Sequence, residues 1–489
     1  MRVTLIYPQS GRKNNFPPLG VMYIGAVLEE AGHSVQIIDP MPKDMSFVQM
    51  VRDFDPQIVG VSIMTASYST AADLLKKLKQ NIPDTLYCAG GAHVTALPVE
   101  TINDLELDFA VVGEGEFTMR EVCKRIENGG DLHGVKGIVY RSGSVVVNND
   151  PRDLIQNLDD LPFLGRHLLS DFKEYLLPPG TLRGGFFQRS TTMMTSRGCP
   201  YHCIYCSSYL IFGRKLRRRS VSNVIAEIEG LIKKYDIEAL YFLDDTFTLN
   251  SRWVMEFCRQ LREKKIPISW QCQARVDTVS EDLLYAMKNA GCISVEFGVE
   301  SGSEKVLKIM KRRTSKEMIF KAFKTAKKAG LRSSAFFMLG NPGETLEDIN
   351  QTFKVAKKIK ANRTNFYFTV PFPGTELYQM AQQNSWLDKN LNFMELWDFS
   401  LTEKPLMEIN FTKEELAKIR KKFRNHFILR NHLLGHINYQ GIYRALLVLL
   451  KKPLESLKNF LPFALKRQWT RFIEYLGEEY RTELRRKPK

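Results

Sequence analysis

Between residues 191 and 383 the chain repeats one pattern six times, a short apolar run of strand character followed by an amphipathic helix. The strand-like runs are 191–195, 239–243, 268–273, 293–297, 333–339 and 365–369; the helical ones are 221–235, 251–264, 280–289, 316–329, 346–360 and 376–383. A helix between two strands is the crossover that a parallel pair requires. Six units predict a parallel sheet that curls, two short of a closed eight-fold barrel. On such a scaffold the loops at the C-terminal ends of the strands carry the chemistry.

The loop after the first of these strands carries three cysteines. The run Thr195-Ser-Arg-Gly-Cys-Pro-Tyr-His-Cys-Ile-Tyr-Cys206 places Cys199, Cys203 and Cys206 at Cys-x3-Cys-x2-Cys spacing. A closed zinc or iron–sulfur site wants four ligands, so three close thiolates point to a cluster with one metal corner open. Zinc with His202 or a distant fourth ligand is the other reading. The position after a strand of a β/α repeat favours the cluster. Cys88, Cys123, Cys258, Cys272 and Cys292 are scattered singly and read as buried thiols.

Residues 1–145 alternate strand and helix patterns as well. Strands are predicted at 3–7, 35–39, 57–63, 86–89 and 109–112, helices at 19–30, 70–81 and 116–128, and a hairpin at 137–147. This alternation argues for a doubly wound parallel sheet whose ligand sits against loops 8–18, 64–69, 90–96 and 113–115. The stretch 161–185 is rich in Pro and Gly and reads as a linker. The chain therefore divides into a Rossmann-like unit at 1–150, a linker at 151–190, a β/α unit at 191–400 and a helical region at 401–489.

Charge is concentrated at the far end. From residue 412 onward there are 19 Lys and Arg against 7 Asp and Glu, most of the net charge of +16. Helices are predicted at 414–430, 441–452 and 464–476, each with apolar and basic faces. Basic amphipathic helices suit an anionic membrane surface, with Leu446, Leu447, Leu449 and Leu450 available for insertion; a solvated basic cap is the plainer reading. No run approaches the roughly 20 apolar residues of a membrane span. The N-terminal segment reads as a strand rather than a secretory leader, and eight cysteines then argue for a reducing, cytoplasmic compartment.

The cysteine motif resembles the signature of the radical S-adenosylmethionine (SAM) superfamily. Further segments fall at strand ends: Leu243-Asp-Asp-Thr-Phe247, Gln271-Cys-Gln-Ala-Arg-Val-Asp277, Phe297-Gly-Val-Glu-Ser-Gly302, Leu339-Gly-Asn-Pro-Gly-Glu344 and Val370-Pro-Phe-Pro-Gly-Thr375. With the α/β unit ahead of them, residues 1–385 resemble the cobalamin-dependent branch, which includes carbon methylases, hopanoid-lipid enzymes and the anaerobic Mg-protoporphyrin monomethyl ester cyclase. The resemblance implies an α/β fold: a cobalamin-binding-type Rossmann-like domain, then a partial (β/α)6 barrel, then the basic helical region. It implies a [4Fe–4S] cluster on the three cysteines, SAM on its open iron and cobalamin in the first domain. Reductive cleavage of SAM would then start radical chemistry at an unactivated carbon, by methylation, cyclisation or coupling.

The resemblance also implies residue roles. Tyr205 would lie against adenine, Asp244 and Asp245 would neutralise the SAM ammonium, and Arg275 would pair with its carboxylate. Glu300 and Ser301 would hold the ribose, and Gly340 and Gly343 would let backbone approach the adenosyl group. For cobalamin the expected contacts are Ser62, Thr65, Gly90, Gly91, His93, Gly113, Glu114 and Gly115. The loop Pro8-Gln-Ser-Gly-Arg-Lys-Asn-Asn-Phe16 lacks the Asp-x-His-x-x-Gly motif, so no histidine is expected beneath the cobalt; His93 reads as a hydrogen-bonding loop residue. A first domain that kept its fold and binds nothing is the alternative. Expected partners are an apolar small molecule such as a lipid, isoprenoid or tetrapyrrole, an electron donor such as flavodoxin or ferredoxin, and an anionic membrane surface. The basic tail lacks aromatic stacking modules, which argues against nucleic acid. An RNA-modifying methylthiotransferase would need three further cysteines in the first domain, which holds only Cys88 and Cys123. An iron–sulfur membrane adaptor without catalysis would leave the rim motifs unexplained.

Overall fold

The computed structural model of the protein describes residues 1–9, 16–40, 46–169, 172–176, 189–387 and 405–433. Its first domain is a sheet ordered β2-β1-β3-β4-β5-β6-β7. The strands are β1 (Arg2–Ile6), β2 (Ser34–Ile38), β3 (Ile58–Ser62), β4 (Leu86–Gly90), β5 (Phe109–Val111), β6 (Ile138–Ser142) and β7 (Val145–Asn148). The first five run parallel, and β6 and β7 turn back antiparallel at one edge. The helices are α1 (Leu19–Glu30), α2 (Ser46–Phe54), α3 (Tyr68–Asn81), α4 (Ala92–Ala96), α5 (Pro98–Leu105) and α6 (Glu116–Glu127). Three of them, α2, α4 and α5, escape the sequence pattern because they are five to nine residues long. Chain order reverses between β1 and β3, and a crevice opens at such a switch point outside the carboxyl ends of the strands.

The second domain is an all-parallel sheet ordered β15-β14-β13-β12-β11-β8. It comprises β8 (Ser190–Met193), β11 (Ala239–Phe242), β12 (Ser269–Arg275), β13 (Cys292–Glu300), β14 (Arg332–Leu339) and β15 (Arg363–Phe368). Between β8 and β11, β9 (Ser196–Arg197) and β10 (Arg217–Arg218) form a small antiparallel pair that carries the cysteine loop. The helices are α7 (Ser208–Phe212), α8 (Val221–Tyr235), α9 (Ser251–Glu263), α10 (Glu281–Asn289), α11 (Glu304–Ile309), α12 (Lys316–Lys328), α13 (Leu346–Lys358) and α14 (Glu376–Gln383). Each helix from α8 to α14 starts at a Ser, Thr or Asn whose side chain accepts from the first turn: Ser220, Asn250, Ser280, Ser303, Ser315, Thr345 and Thr375. Alternate strand residues pack outward on these helices. Phe242 and Trp270 meet Phe257 of α9 at 5.6 and 5.7 Å between ring centroids, and Phe297 meets Phe323 of α12 at 5.0 Å. The opposite side chains face the lumen of the open barrel.

A last helix, α15 (Lys413–Leu433), corrects the reading of the basic tail. Leu416, Phe423 and Phe427 of α15 are buried, and Phe423 stacks on Phe353 of α13 at 4.2 Å. Asn431 accepts from Thr364 N and donates to Thr364 O, both at 2.7 Å, which satisfies the otherwise open edge of β15. The apolar face of this helix is therefore spent on the barrel and is withdrawn from any membrane. The predicted helices 441–452 and 464–476, with Leu446, Leu447, Leu449 and Leu450, lie outside the described residues. Among the described residues no helix is long and apolar enough to cross a membrane.

Removing the ring at this contact leaves a cavity between α13, β15 and α15. Phe423→Ala is expected to lower the unfolding free energy by about 3–5 kcal/mol, read from the urea midpoint, whereas exposed Met255→Ala should change it by less than about 0.5 kcal/mol.

Candidate active site

The cysteine loop is held from below by Asp244. This fully buried carboxylate accepts from Thr195 N at 3.2 Å, from Thr195 Oγ1 at 2.7 Å and from Ser196 Oγ. The chain then turns at Gly198, whose φ is +86°; a Cβ there would sit 2.3 Å from Lys215 O, so only glycine fits. Cys199 N donates to Gly213 O at 3.4 Å and Cys206 N to Cys203 O at 3.2 Å, which fixes the backbone of the loop that carries the thiols. Burial raises the thiol pKa of Cys199, and burial with the neighbouring charges pushes Cys206 up to about 12. Two buried arginines answer that charge: Arg275 Nη1 lies 3.9 Å and Arg312 Nη1 3.8 Å from Cys203 Sγ. Three thiols backed by two guanidiniums fit a cluster held through three thiolates. Among the described residues no three His, Cys, Asp or Glu side chains converge on a point suited to a single ion.

Arg312 gave no signal in the sequence, because Lys311-Arg-Arg313 reads as a solvated charge run. Lys311 and Arg313 both adopt positive φ, +54° and +55°, and this backbone turns Arg312 inward while its neighbours stay exposed. Inside, Arg312 reaches Gly298 O at 2.7 Å and Glu300 at 3.4 Å. Burial opposes its charge, yet Tyr205, Glu300 and Cys203 together raise its pKa. Glu300 itself stands at φ +68° beside a break in strand register, and burial raises its carboxyl pKa. Tyr205 hydrogen-bonds to Glu300, and burial raises its phenol as well.

Several side chains expected at SAM have partners within the protein. Asp244 is enclosed, as described, while the neighbouring Asp245 residue is exposed and accepts from Ser208 Oγ at 2.5 Å; desolvation of its carboxyl group, with the adjacent Asp244 charge, raises its pKa. The fork of Arg275 is taken by Asp277, with both bonds at 2.9 Å, and its guanidinium lies 3.4 Å from the Tyr201 ring centroid. Ser301 is fully buried and bonds Thr352 Oγ1 of α13 at 3.1 Å, so it ties a helix to the barrel. Gly340 and Gly343 have φ of +80° and +66°, and their Cα atoms face Leu416 and Ile309. They shape a turn closed by Glu344, which accepts from Gly340 N at 2.7 Å and Asn341 N at 3.1 Å; burial pushes its pKa up to about 7.

The crevice of the first domain forms a cleft of about 410 Å³. Ser62, Gly90, Gly91, Gly113, Glu114 and Gly115 line it, together with Tyr7, Phe16 and Gly20. A Cβ at Gly20 or Gly113 would meet nothing within 4 Å, so backbone there lies open to a ligand, a cradle that fits a large flat corrin. From the barrel side the same cleft is closed by Met194, Arg197, Phe212 and Leu243. Thr65 and His93, also expected at cobalamin, lie outside this lining. His93 is buried, bonds Thr65 Oγ1 at 3.2 Å and stacks on Tyr68 at 4.5 Å, and burial lowers its pKa to about 4.

Glu114 lines the cleft but is held by the barrel. Its Oε1 meets Arg197 Nη1 at 2.8 Å and its Oε2 meets Arg217 Nη1 at 2.7 Å; Glu116 takes the other arm of Arg197 at 2.6 Å. All four side chains are at most 5% exposed. Two acids from the first domain thus neutralise the two arginines of the β9–β10 pair, which carries the cysteines. Sequence reasoning missed this pairing because its partners are more than 80 residues apart.

The glycine-lined crevice of the first domain and the segment that carries the cysteines thus meet across one interface closed by buried ion pairs. Residues 193–356 match the radical SAM superfamily and residues 11–123 the B12 binding domain. An uncharacterised methyltransferase of Pyrococcus horikoshii is 36% identical over 425 residues, covering 86% of this chain and 89% of the relative. The anaerobic magnesium-protoporphyrin IX monomethyl ester cyclase of Rubrivivax gelatinosus is 28% identical, covering 78% and 70%. The structure of the cobalamin-dependent SAM radical enzyme OxsB with aqua-cobalamin has the same fold, with a TM-score of 0.72 at 17% identity over 98% of this chain and 71% of that one. The chain belongs to the cobalamin-dependent branch of the radical SAM superfamily. Its cofactors are a [4Fe–4S] cluster, SAM and cobalamin.

Glu114→Gln leaves two buried guanidiniums short of charge. It should cost about 3–5 kcal/mol in urea unfolding and lower the iron content after anaerobic reconstitution, because Arg197 stands two residues before Cys199. A separate outcome concerns His93. Its folded pKa of about 4 lies below the usual 6.5, so the neutral ring favours the fold above pH 6.5 and that contribution is lost as pH falls toward 4. The acid side of the stability profile should flatten in His93→Gln over that window, and in the cob(II)alamin state neither protein should show EPR superhyperfine splitting from a protein imidazole.

Proposed function

We propose that the protein acts on an unactivated carbon of a small molecule, by methylation or by radical cyclisation or coupling, in one chamber shared by the cleft and the barrel. The supporting observation is that Met194, Arg197 and Leu243, from barrel segments beside the cysteines, line the same cleft as the glycine loops of the first domain. When bound, the cluster supplies an electron, SAM a cleavable sulfonium and cobalamin a corrin able to carry a methyl group.

The remaining work belongs to the chain. Cys199, Cys203 and Cys206 hold the cluster, with Arg275 and Arg312 holding Cys203 in place. Asp245, the exposed member of its pair, takes the SAM ammonium, and the joined Tyr205 and Glu300 side chains take its adenosyl part. Asp244, Arg275 and Ser301 act as positioning residues through the loops they tie. Gly340 and Gly343 set the turn on the same rim. Open backbone at Gly20 and Gly113, with Ser62, Gly90, Gly91 and Gly115 around it, receives the corrin. Apolar walls exclude water, and they favour an apolar portion of the substrate at the reacting carbon. A low-potential flavodoxin or ferredoxin serves as reductant. Attachment to an anionic membrane now has its support only in the basic composition of residues 434–489.

The test is anaerobic. Reconstituted protein should bind about four irons, retain added cobalamin and cleave SAM to methionine with dithionite. Replacement of all three motif cysteines by Ala should abolish iron binding and cleavage while cobalamin binding persists. A triple variant that keeps its cluster would sink the reading.

A further inference from the structure

The lumen of the barrel is polar where a merely structural one would be filled with branched apolar side chains. In register, Thr192 of β8, Tyr241 of β11, Gln271 of β12 and Ser294 of β13 form one rung. Tyr241 donates to Glu296 at 2.7 Å and accepts from Gln273 at 2.7 Å, which shows that this face of the strands points inward. Gln271 lies two residues below Gln273 on the same face and is fully buried. Among the described residues both ends of its amide, Nε2 and Oε1, lack a hydrogen-bond partner, as does Thr192 Oγ1 on the same rung. Leaving one such group unsatisfied costs about 1–3 kcal/mol, so a row of them marks a place built for something else.

The same face climbs to the chemistry. Above Gln271 and Gln273 on β12 stands Arg275, which reaches the Cys203 thiol. Above Tyr241 and Thr192 stand Leu243 and Met194, which line the cleft of the first domain. Four residues of strand separate Gln271 from Arg275, about 13 Å at the usual rise. Side chains on the upper rungs, among them Phe336, Met338 and Tyr367, are half-buried, whereas the helix-facing Phe337, Leu339 and Phe366 between them are buried.

We propose that this floor is the specificity end of the substrate site, and that it selects a molecule bearing an amide-like edge, a hydrogen-bond donor beside an acceptor. A glutamine amide with both atoms free matches such an edge in a paired, two-bond geometry. The substrate is then an elongated small molecule, anchored by a neutral polar end on Gln271 and presenting its apolar carbon to the rim about 13 Å above. An entirely hydrocarbon lipid leaves the floor unsatisfied and is disfavoured. This rests on the reading that cleft and barrel form one chamber.

Benzamide and acetophenone are near isosteres, and only the first carries the donor. Their binding to anaerobic holoenzyme is measured by saturation-transfer NMR at millimolar concentration, beside iron content and dithionite-driven SAM cleavage on the same samples. Benzamide should bind at least about tenfold more tightly than acetophenone, as a site built to hydrogen-bond rejects the analogue lacking the group. In Gln271→Met, which keeps length and removes both polar atoms, the preference should fall below about twofold. Thr192→Val, an isosteric change on the same rung, should reduce it partially and guards against a misfolded first variant. Equal binding of the two probes, no binding of benzamide because the floor holds only water, or an unchanged preference in both variants overturns the proposal. Loss of iron binding and SAM cleavage in the wild type overturns the chamber reading instead, whatever the probes do.

Discussion

Four buried charges hold the two halves of this enzyme in one geometry. Arg197 and Arg217 belong to the short β9–β10 pair that carries the cysteines, and they pair with Glu114 and Glu116 at the far end of β5 and the start of α6. Coulomb attraction in such a setting has to offset the desolvation of all four groups, which succeeds only with close geometry and balanced charge. Both conditions hold, with contacts of 2.6–2.8 Å and two charges of each sign. A second buried set, Arg166 and Arg219 on Glu227 at 2.6 Å, ties the connecting segment to α8 in the same manner. The cleft of the first domain and the cysteine loop therefore share one wall. The cleft is lined by Gly113, Glu114 and Gly115 on one side and by Arg197 on the other.

Polar groups in the barrel divide by the direction of their strand. Residues facing outward are aromatic and aliphatic and bury themselves on capped helices. Residues facing inward include Thr192, Gln271, Gln273 and Glu296, and the upper ones remain partly open. A parallel sheet buried on both faces ordinarily reads as a continuous apolar run. Here the alternation within β12, Ser269-Trp-Gln-Cys-Gln-Ala-Arg275, records that one face looks into a reaction space. The last helix completes this arrangement from outside. By satisfying both backbone groups of Thr364 it closes the edge strand, so the basic composition of that segment reflects its solvent face and its apolar residues belong to the core.

Much of the design was legible before any coordinates. Periodicity located the six barrel strands and their long helices, since a strand buried on parallel neighbours and a helix with one apolar stripe leave different marks. The cysteine spacing marked the loop after the first barrel strand, and glycines at 90, 91, 113 and 115 marked the cleft of the first domain, which they line. Local signals of this kind are complete within about a dozen residues. Short helices such as Ala92–Ala96 and Pro98–Leu105 offer too few turns to show a period.

Which charged side chains face a ligand and which face each other was decided only by the tertiary structure. Asp244 and Asp245 are adjacent and chemically identical, yet one is sealed under Thr195 and Ser196 and the other opens to solution. Arg312 sits between two exposed cations and alone turns toward the cluster thiol, because the positive φ of its neighbours leaves it no other direction. His93 looks like a ligand in a glycine-rich loop and is instead shut behind Thr65 and Tyr68. Spacing along the chain determines what a segment can be. Pairing between residues 49 to more than 100 positions apart depends on where the sheets bring them together, and a one-dimensional pattern carries no trace of that.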